Sequence, residues 1–312
     1  QMIFPDGVYT VLVTPFNDDD SIDYDSLTKL LDNQYESSVS GIVLLGTTSE
    51  SPTMTNAEKI ELVNFVYDYD STSWTRHKFI VVGVGGNCTK SVVEFSKSIE
   101  DKCDALMVTV PHYNKPQQRG IVDLYQQVYA ACPTAPVMIY NIPGRTGLDM
   151  MPEAMVQVIN TCPNVVALKE ASGNYENVKR LIDLIEHDTT RNIQTTFKLF
   201  SGDDANVVKL CENYCGRGVI SVASNIIPNK ICEIVHNCLN EQFDVASCQL
   251  KNSVEFIKYL FVESNPVPVK EIMYQVGIYP SPRVRRPLME MNNEDKKIKL
   301  KTLYLSVLEH ST

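Results

Sequence analysis

The chain carries the apolar run Val165-Val166-Ala167-Leu168-Lys169-Glu170-Ala171 between two pairs of turn-forming residues, Pro163-Asn164 and Ser172-Gly173. A short apolar run with such ends predicts a strand buried on both faces, as in a parallel sheet. Burial lowers the pKa of an ammonium group, and a buried amine is the usual nucleophile that forms a Schiff base with a carbonyl substrate. Lys169 is therefore a candidate nucleophile. The alternative is a strand-end lysine that reaches solvent or pairs with Glu170.

Apolar runs of this kind recur along the chain, and each is followed by a segment with helical periodicity. The predicted strands are Tyr9–Thr14, Gly41–Gly46, Phe79–Gly85, Ala105–Val110, Pro136–Ile142, Val165–Ala171, Phe197–Asp203 and Gly218–Ser224. The predicted helices are Tyr24–Glu36, Asn56–Tyr69, Lys90–Lys102, Arg119–Cys132, Pro152–Thr161, Tyr175–His187, Ala205–Tyr214 and Pro228–Leu239. Unbroken alternation predicts a parallel sheet covered on both faces. Eight such units in about 240 residues fit a closed (β/α)8 barrel, the TIM barrel of the α/β class.

The remaining chain predicts an appended helical segment rather than a second enzyme domain. We assign residues 1–240 to the barrel, as the catalytic domain, and residues 241–312 to a C-terminal helical extension. Its helices are predicted at Gln242–Tyr259, Pro266–Val276 and Asn293–Leu308. An open dinucleotide-binding sheet is disfavoured, because the nearest glycine cluster, Gly83-Val84-Gly85-Gly86, lacks the third glycine of G-x-G-x-x-G.

Composition excludes several classes of protein. With 44% hydrophobic and 21% charged residues the chain is a globular protein, and its net charge of −10 argues against a nucleic-acid partner. No apolar stretch approaches the ~20 residues that span a bilayer, and residues 1–7 do not resemble a signal peptide. The nine cysteines form no C-x-x-C pair and the five histidines have no ligand spacing. We therefore predict a cytoplasmic protein with reduced thiols, no membrane partner and no metal.

Polar side chains collect where the predicted strands end. In a TIM barrel the carboxyl ends of the strands form the active site. Each side chain has an ordinary alternative, since Ser and Thr after a strand often cap the next helix and a tyrosine can line the barrel wall. Their convergence at one end favours a site. The residues are Thr47 and Thr48 after the second strand, Tyr113 after the fourth, Tyr140 and Arg145 at the fifth, and Lys169 in the sixth.

Several motifs in this set resemble the dihydrodipicolinate synthase (4-hydroxy-tetrahydrodipicolinate synthase) family. That family belongs, with N-acetylneuraminate lyase, to the pyruvate-dependent class I aldolases. The resemblance extends from about Gly7 to Asn292 and agrees with the predicted barrel. The motifs are Thr47-Thr48-x-Glu50, Tyr140-Asn-Ile-Pro-Gly-Arg145-Thr-Gly147, Leu168-Lys169-Glu-Ala-Ser-Gly173, Ser201-Gly202-Asp203, Gly218-Val-Ile-Ser221 and Glu263-Ser-Asn265-Pro-Val-Pro-Val-Lys270.

The resemblance implies catalytic roles for four residues. Lys169 would attack the ketone of pyruvate and form a Schiff base, so that no other cofactor is needed. Tyr140 would be the general acid and base, and Thr48 and Tyr113 would complete a hydroxyl relay to solvent. In the family the residue matching Tyr113 reaches in from a neighbouring subunit. This implies a homo-oligomer, a dimer or a homotetramer.

The resemblance also implies the substrate contacts. Thr47 and Thr48 would hold the pyruvate carboxylate, and Gly202 and Ile220 would face the site. Arg145 would bind the carboxylate of aspartate 4-semialdehyde, because a guanidinium takes a carboxylate through two hydrogen bonds. The implied reaction is a condensation that gives 4-hydroxy-tetrahydrodipicolinate, in the lysine and diaminopimelate pathway. Two alternatives are an aldolase that cleaves a 2-keto-3-deoxy sugar acid or N-acetylneuraminate, and a catalytically silent ligand-sensing barrel.

Two features depart from the family's pattern. Ser49 stands where the family's second-strand motif has glycine, which predicts a changed turn or pocket. The positions that match the lysine effector site of bacterial relatives carry a cation at Lys59 and a neutral Ser91 in place of an acid, so we predict insensitivity to L-lysine. The full set of matching positions is Pro52, Asn56, Lys59, Asn87, Ser91 and His112.

Overall fold

The barrel is formed by eight parallel strands in sequential order, β1 to β8, and β8 closes the ring against β1. The structure is a computed structural model, and it describes residues 4–73 and 77–309. The predicted TIM barrel is confirmed. The strands are β1 Gly7–Val11, β2 Gly41–Leu44, β3 Phe79–Gly83, β4 Ala105–Thr109, β5 Val137–Asn141, β6 Val165–Glu170, β7 Lys198–Ser201 and β8 Gly216–Ser221.

Helices follow the strands and surround the barrel. They are α1 Tyr24–Glu36, α2 Asn56–Ser73, α3 Thr89–Ile99, α4 Gln118–Ala131, α5 Pro143–Thr146, α6 Pro152–Thr161, α7 Tyr175–Asp188, α8 Val207–Tyr214 and α9 Pro228–Leu239. The helical extension is also confirmed, as α10 Phe243–Tyr259, α11 Val267–Gln275 and α12 Glu294–Glu309. In the described parts of the chain, no helix is both long and apolar enough to cross a bilayer.

Side-chain alternation divides the apolar residues into two clusters. Within β6, Ala167 packs in the barrel interior, whereas Leu168 packs in the outer layer between sheet and helices. Because successive strand residues face opposite sides, Lys169 shares the interior face with Ala167. Aromatic rings fill the interior from the amino-terminal end, where Phe4 and Phe79 have ring centroids 4.9 Å apart. The polar groups therefore gather at the opposite, carboxyl-terminal mouth.

The first and eighth strands begin two residues before their predicted starts. The first was predicted at Tyr9–Thr14 and lies at Gly7–Val11, and the eighth was predicted at Gly218–Ser224 and lies at Gly216–Ser221. The predicted end of this strand is instead a buried 3-10 turn over Ala223–Asn225. Apolar content alone does not distinguish the two, because both are buried.

Candidate active site

Lys169 lies in the interior of the barrel, directly opposite Tyr140 in the register of β5 and β6. Its side chain is buried, at 6% exposure, and its Nζ lies 3.8 Å from the centroid of the Tyr140 ring. The Glu170 carboxylate lies on the other face, accepts a 2.6 Å hydrogen bond from the Ser172 N–H and has its pKa raised by burial. Lys169 therefore neither extends to solvent nor pairs with Glu170, which removes both ordinary alternatives.

A cavity of about 670 Å³ opens at the carboxyl-terminal mouth. Thr47, Tyr140 and Arg145 line it, so that three of the predicted residues share one space. Tyr140 is 5% exposed and connects the cavity to Lys169, whose ammonium lies on the tyrosine ring. Arg145 belongs to the short helix α5 and is exposed at the rim. A phenol and an exposed guanidinium on one cavity, with a buried amine against the ring of that phenol, suit an anionic carbonyl substrate.

The turn after β2 carries Thr47 and Thr48. It is closed by a 2.9 Å hydrogen bond from the Glu50 N–H to the Thr47 carbonyl. Ser49 is buried, and its hydroxyl donates to the Leu12 carbonyl at 2.7 Å. The Ser49 carbonyl in turn accepts from the Thr14 hydroxyl at 2.8 Å. Ser49 therefore ties this turn to the segment that follows β1, through its hydroxyl and its backbone carbonyl.

A buried ion pair supports the turn from the helical extension. Lys270 in α11 donates from Nζ to Glu50 Oε2 at 2.5 Å, and both side chains are fully buried. The other carboxylate oxygen of Glu50 accepts from the Arg285 N–H at 2.7 Å. Burial lowers the pKa of Lys270 to about 8, and Glu50 opposes that shift. In the sequence, Glu50 and Lys270 are visible only as parts of two separate motifs. They are 220 positions apart, and no sequence pattern indicates that they touch.

Thr48 is also held from the extension. Asn265, two residues before the start of α11, donates from Nδ2 to Thr48 Oγ1 at 2.9 Å. Both side chains are buried, Thr48 at 2% and Asn265 at 6% exposure. The extension therefore reaches the turn of Thr47 and Thr48 at two points, through Asn265 and through Lys270, which binds Glu50.

Tyr113 is not brought together with the other predicted catalytic residues within one chain. Its side chain is 85% exposed, and it adopts a left-handed backbone conformation, with φ at 70°. Its N–H donates to the Thr146 carbonyl at 3.2 Å, which fixes the loop beside α5. A phenol this exposed makes no packed contact with Thr48 or Tyr140, so the predicted relay is incomplete in a single chain.

Gly202 immediately follows β7, and Ile220 lies on the interior face of β8. The Gly202 N–H donates to the Glu170 carbonyl at 2.7 Å. A Cβ at Gly202 would lie 2.7 Å from the Ala171 Cβ, so glycine is required there. Ile220 is buried and packs in the same interior cluster as Tyr140. Neither residue lines the cavity described above.

The positions matched to the effector site line the same cavity as Thr47 and Arg145. Lys59 is half-buried among them, its pKa is lowered by burial, and its Nζ lies 5.8 Å from the centroid of the Phe95 ring. In residues 4–73 and 77–309, no group of three or more His, Cys, Asp or Glu side chains is arranged to hold a metal ion. The lining residues from the effector set are Pro52, Asn56, Lys59, Asn87, Ser91 and His112.

Comparison with known proteins confirms the resemblance drawn from the motifs. The model of the dihydrodipicolinate synthetase family matches residues 5–305. The 4-hydroxy-tetrahydrodipicolinate synthase of Thermosipho melanesiensis is 36% identical over 299 residues, which cover 95% of this chain and 97% of that protein. Two solved structures are similar. The enzyme of Cyanidioschyzon merolae with lysine bound has a TM-score of 0.88 at 32% identity, covering 97% of this chain and 98% of that one. The chloride-inhibited dihydrodipicolinate synthase of Acinetobacter baumannii, complexed with pyruvate, has a TM-score of 0.88 at 28% identity and covers 97% and 99%.

Proposed function

The chain belongs to the dihydrodipicolinate synthetase family, and from that premise we propose that its barrel mouth condenses pyruvate with aspartate 4-semialdehyde. The product is 4-hydroxy-tetrahydrodipicolinate, and the enzyme is a Schiff-base lyase. One observation carries the proposal: the buried Lys169 ammonium lies 3.8 Å from the centroid of the Tyr140 ring. A nucleophilic amine and a hydroxyl acid-base group are thereby placed where a keto acid enters.

The reaction begins with the amine of Lys169. Its nitrogen adds to the ketone carbon of pyruvate, and loss of water leaves an imine. Removal of a methyl proton gives the enamine, whose carbon forms the new bond to the aldehyde carbon of the semialdehyde. The amino group of the semialdehyde then adds to the imine carbon and displaces Lys169, which closes the ring and regenerates the amine. Pyruvate is bound covalently, and no separate cofactor takes part.

Tyr140 is the general acid and base of these steps. A phenol with an ordinary pKa of about 10 is a poor base alone, so proton sharing with other hydroxyls lowers the cost of each transfer. Thr48 belongs to this relay, and Tyr113 joins it from a second copy of the chain. The 85% exposure of Tyr113 supports that arrangement, which makes a homo-oligomer, a dimer or homotetramer, the active form.

The substrates are held by neutral and charged donors. Thr47 and Thr48 bind the pyruvate carboxylate, and Arg145 binds the carboxylate of the semialdehyde at the rim. Gly202 and Ile220 face the site. The nine cysteines are all free thiols, which supports a cytoplasmic location, where reducing conditions keep thiols unpaired.

Replacing Arg145 by alanine should weaken use of the semialdehyde and leave pyruvate binding nearly unchanged. Loss of a charge-assisted hydrogen bond costs about 1.5–3 kcal/mol, so kcat/KM for the semialdehyde should fall about 10- to 100-fold. Steady-state kinetics with each substrate varied in turn measures this. Arg180→Ala is the matched control, because Arg180 is an exposed arginine paired with Glu153 on the outer helices. An Arg145→Ala enzyme with unchanged KM and turnover would remove the basis for this substrate.

The enzyme should be insensitive to L-lysine. The half-buried Lys59 ammonium lines the cavity at the effector positions, and it repels a second cation. A dihydrodipicolinate synthase has been solved with lysine bound, so adding L-lysine to this enzyme is a direct test. Steady-state rates should be the same with and without millimolar L-lysine. Inhibition by sub-millimolar lysine would contradict the prediction.

A further inference from the structure

The hydrogen bond between Asn265 and Thr48 joins two residues that are 217 positions apart, over 2.9 Å. A primary amide nitrogen only donates, so the Thr48 oxygen is the acceptor of this bond. One lone pair of Thr48 is thereby occupied, and the proton of the Thr48 hydroxyl is free for another acceptor. The contact therefore orients the Thr48 hydroxyl, which accepts from Asn265 and can donate elsewhere.

That direction matters for a proton relay. A relay hydroxyl must accept on one side and donate on the other, and donation from an amide to the Thr48 oxygen strengthens Thr48 as a donor. In the proposed relay the acceptors for the Thr48 proton are the Tyr140 oxygen and the substrate carboxylate, and a donor on the other side of the Thr48 oxygen directs the proton toward them. Without the amide, the Thr48 hydroxyl can rotate among several acceptors.

The position of Asn265 is held by the same extension that holds the turn. The Lys270 N–H donates to the Pro266 carbonyl at 3.0 Å within α11, and the Lys270 ammonium binds Glu50 two residues after Thr48. The catalytic turn and the amide are therefore fixed relative to each other by two buried contacts. Such rigid support is what a catalytic hydroxyl needs, because small displacements cost rate.

The Asn265 side chain contributes little to the stability of the fold. Its Nδ2 makes the bond to Thr48, while its Oδ1 is buried and accepts no hydrogen bond from the described residues. One bond gained is offset by one desolvated acceptor. The side chain is better explained by what it does to Thr48 than by the stability of the fold.

We propose that Asn265 is a positioning residue for the proton transfers, and that its amide orients the Thr48 hydroxyl to donate toward Tyr140 and the substrate. This role rests on the proposed Schiff-base function. Asn265 acts only through Thr48 and does not touch the reacting atoms. The helical extension is thus part of the catalytic apparatus.

The test compares Asn265→Ala, which removes the donor, with Asn265→Asp, which replaces it by an acceptor. Two readouts are measured with pyruvate alone: the yield of borohydride trapping at Lys169, and the rate at which pyruvate methyl protons exchange in D2O, followed by NMR. Trapping at saturating pyruvate should stay at the wild-type yield. Exchange and kcat should fall about 10- to 100-fold, because the misoriented Thr48 no longer donates to the charge that develops on Tyr140 or the substrate. Asn265→Asp should be the slower of the two.

A double-variant cycle separates positioning from structural damage. In a Thr48→Val background, Asn265→Ala should slow exchange by less than twofold further, because its effect passes through the lost hydroxyl. Exchange within twofold of wild type in both single variants would overturn the role, as would equal further loss in the Thr48→Val background. If borohydride traps no pyruvate adduct on the wild-type enzyme, the proposed function is overturned, and this role of Asn265 with it.

Discussion

Replacing Lys169 by alanine is expected to abolish the condensation while leaving the fold intact. Without the amine no imine forms, and the remaining groups can only orient the substrates. Removal of a covalent nucleophile in other enzymes lowers kcat by on the order of 10⁴- to 10⁶-fold, and we expect a loss in that range. Steady-state turnover at saturating pyruvate and semialdehyde measures it, with circular dichroism to verify folding.

Lys198 provides the matched control for this experiment. It lies on the adjacent strand β7 and is as buried as Lys169, each at 6% exposure. Its Nζ binds the Phe4 carbonyl and Asp6 at the opposite end of the barrel, both at 2.7 Å. Lys198→Met should therefore lower stability and keep the turnover of the folded enzyme. A Lys169→Ala enzyme with more than about one-hundredth of wild-type turnover would contradict the nucleophile assignment.

Replacing Glu50 by glutamine is expected to destabilise the protein strongly. The change leaves the fully buried Lys270 ammonium without its carboxylate partner. Breaking a buried ion pair from one side costs about 3–5 kcal/mol, because the remaining charge stays desolvated. Urea unfolding should show this loss. Folded Glu50→Gln enzyme should also have a raised KM for pyruvate, since Glu50 belongs to the turn that carries Thr47 and Thr48.

The surface pair of Lys90 and Glu94 is the control for Glu50→Gln. Its side chains are 83% and 65% exposed, and an exposed i,i+4 pair contributes little to stability. Glu94→Gln should therefore leave the unfolding midpoint nearly unchanged. The double variant Glu50→Gln with Lys270→Met should be more stable than the sum of the two single changes predicts, because it removes the unpaired charge. Equal losses of stability in Glu50→Gln and Glu94→Gln would contradict the stabilising role of the buried ion pair.

The buried Lys270 predicts that the stability of the protein depends on pH. Its pKa is lowered by burial from 10.5 to about 8. Between these values the folded chain binds fewer protons at Lys270 than the unfolded chain, so its contribution to the free energy of unfolding increases as pH rises. Wild type should gain stability relative to Lys270→Met between about pH 8 and pH 10. Urea unfolding of both proteins across this range measures the difference, and a pH-independent difference would contradict the assignment.

Local patterns predicted much of the fold because each element carries its own signal. Helix α1 was predicted with the bounds it has, Tyr24–Glu36, and Asp23 caps it by accepting from the Ser26 N–H at 2.9 Å. The apolar run of β6 likewise placed Lys169 in a buried strand. The short helix α5 was missed, because Pro143–Thr146 has only four residues and too little periodicity to detect.

Contacts between distant segments could not be predicted from the sequence. Thr48 and Asn265 meet because α11 folds back over the mouth, and no local pattern encodes that path. The motif comparison marked Asn265 and Lys270 as family positions without indicating what they touch. The exposure of Tyr113 also could not be predicted from the sequence, because it depends on the folded surface. That exposure is consistent with a role that requires a second copy of the chain.

The central claim is that Lys169 forms a Schiff base with pyruvate, and reductive trapping tests it most directly. The enzyme is incubated with pyruvate and borohydride, digested, and mapped by mass spectrometry, after which the trapped enzyme is assayed. We expect one adduct per chain, on the peptide that contains Lys169, with loss of activity in proportion. An unmodified Lys169, or an adduct on another lysine with equal loss of activity, would contradict it.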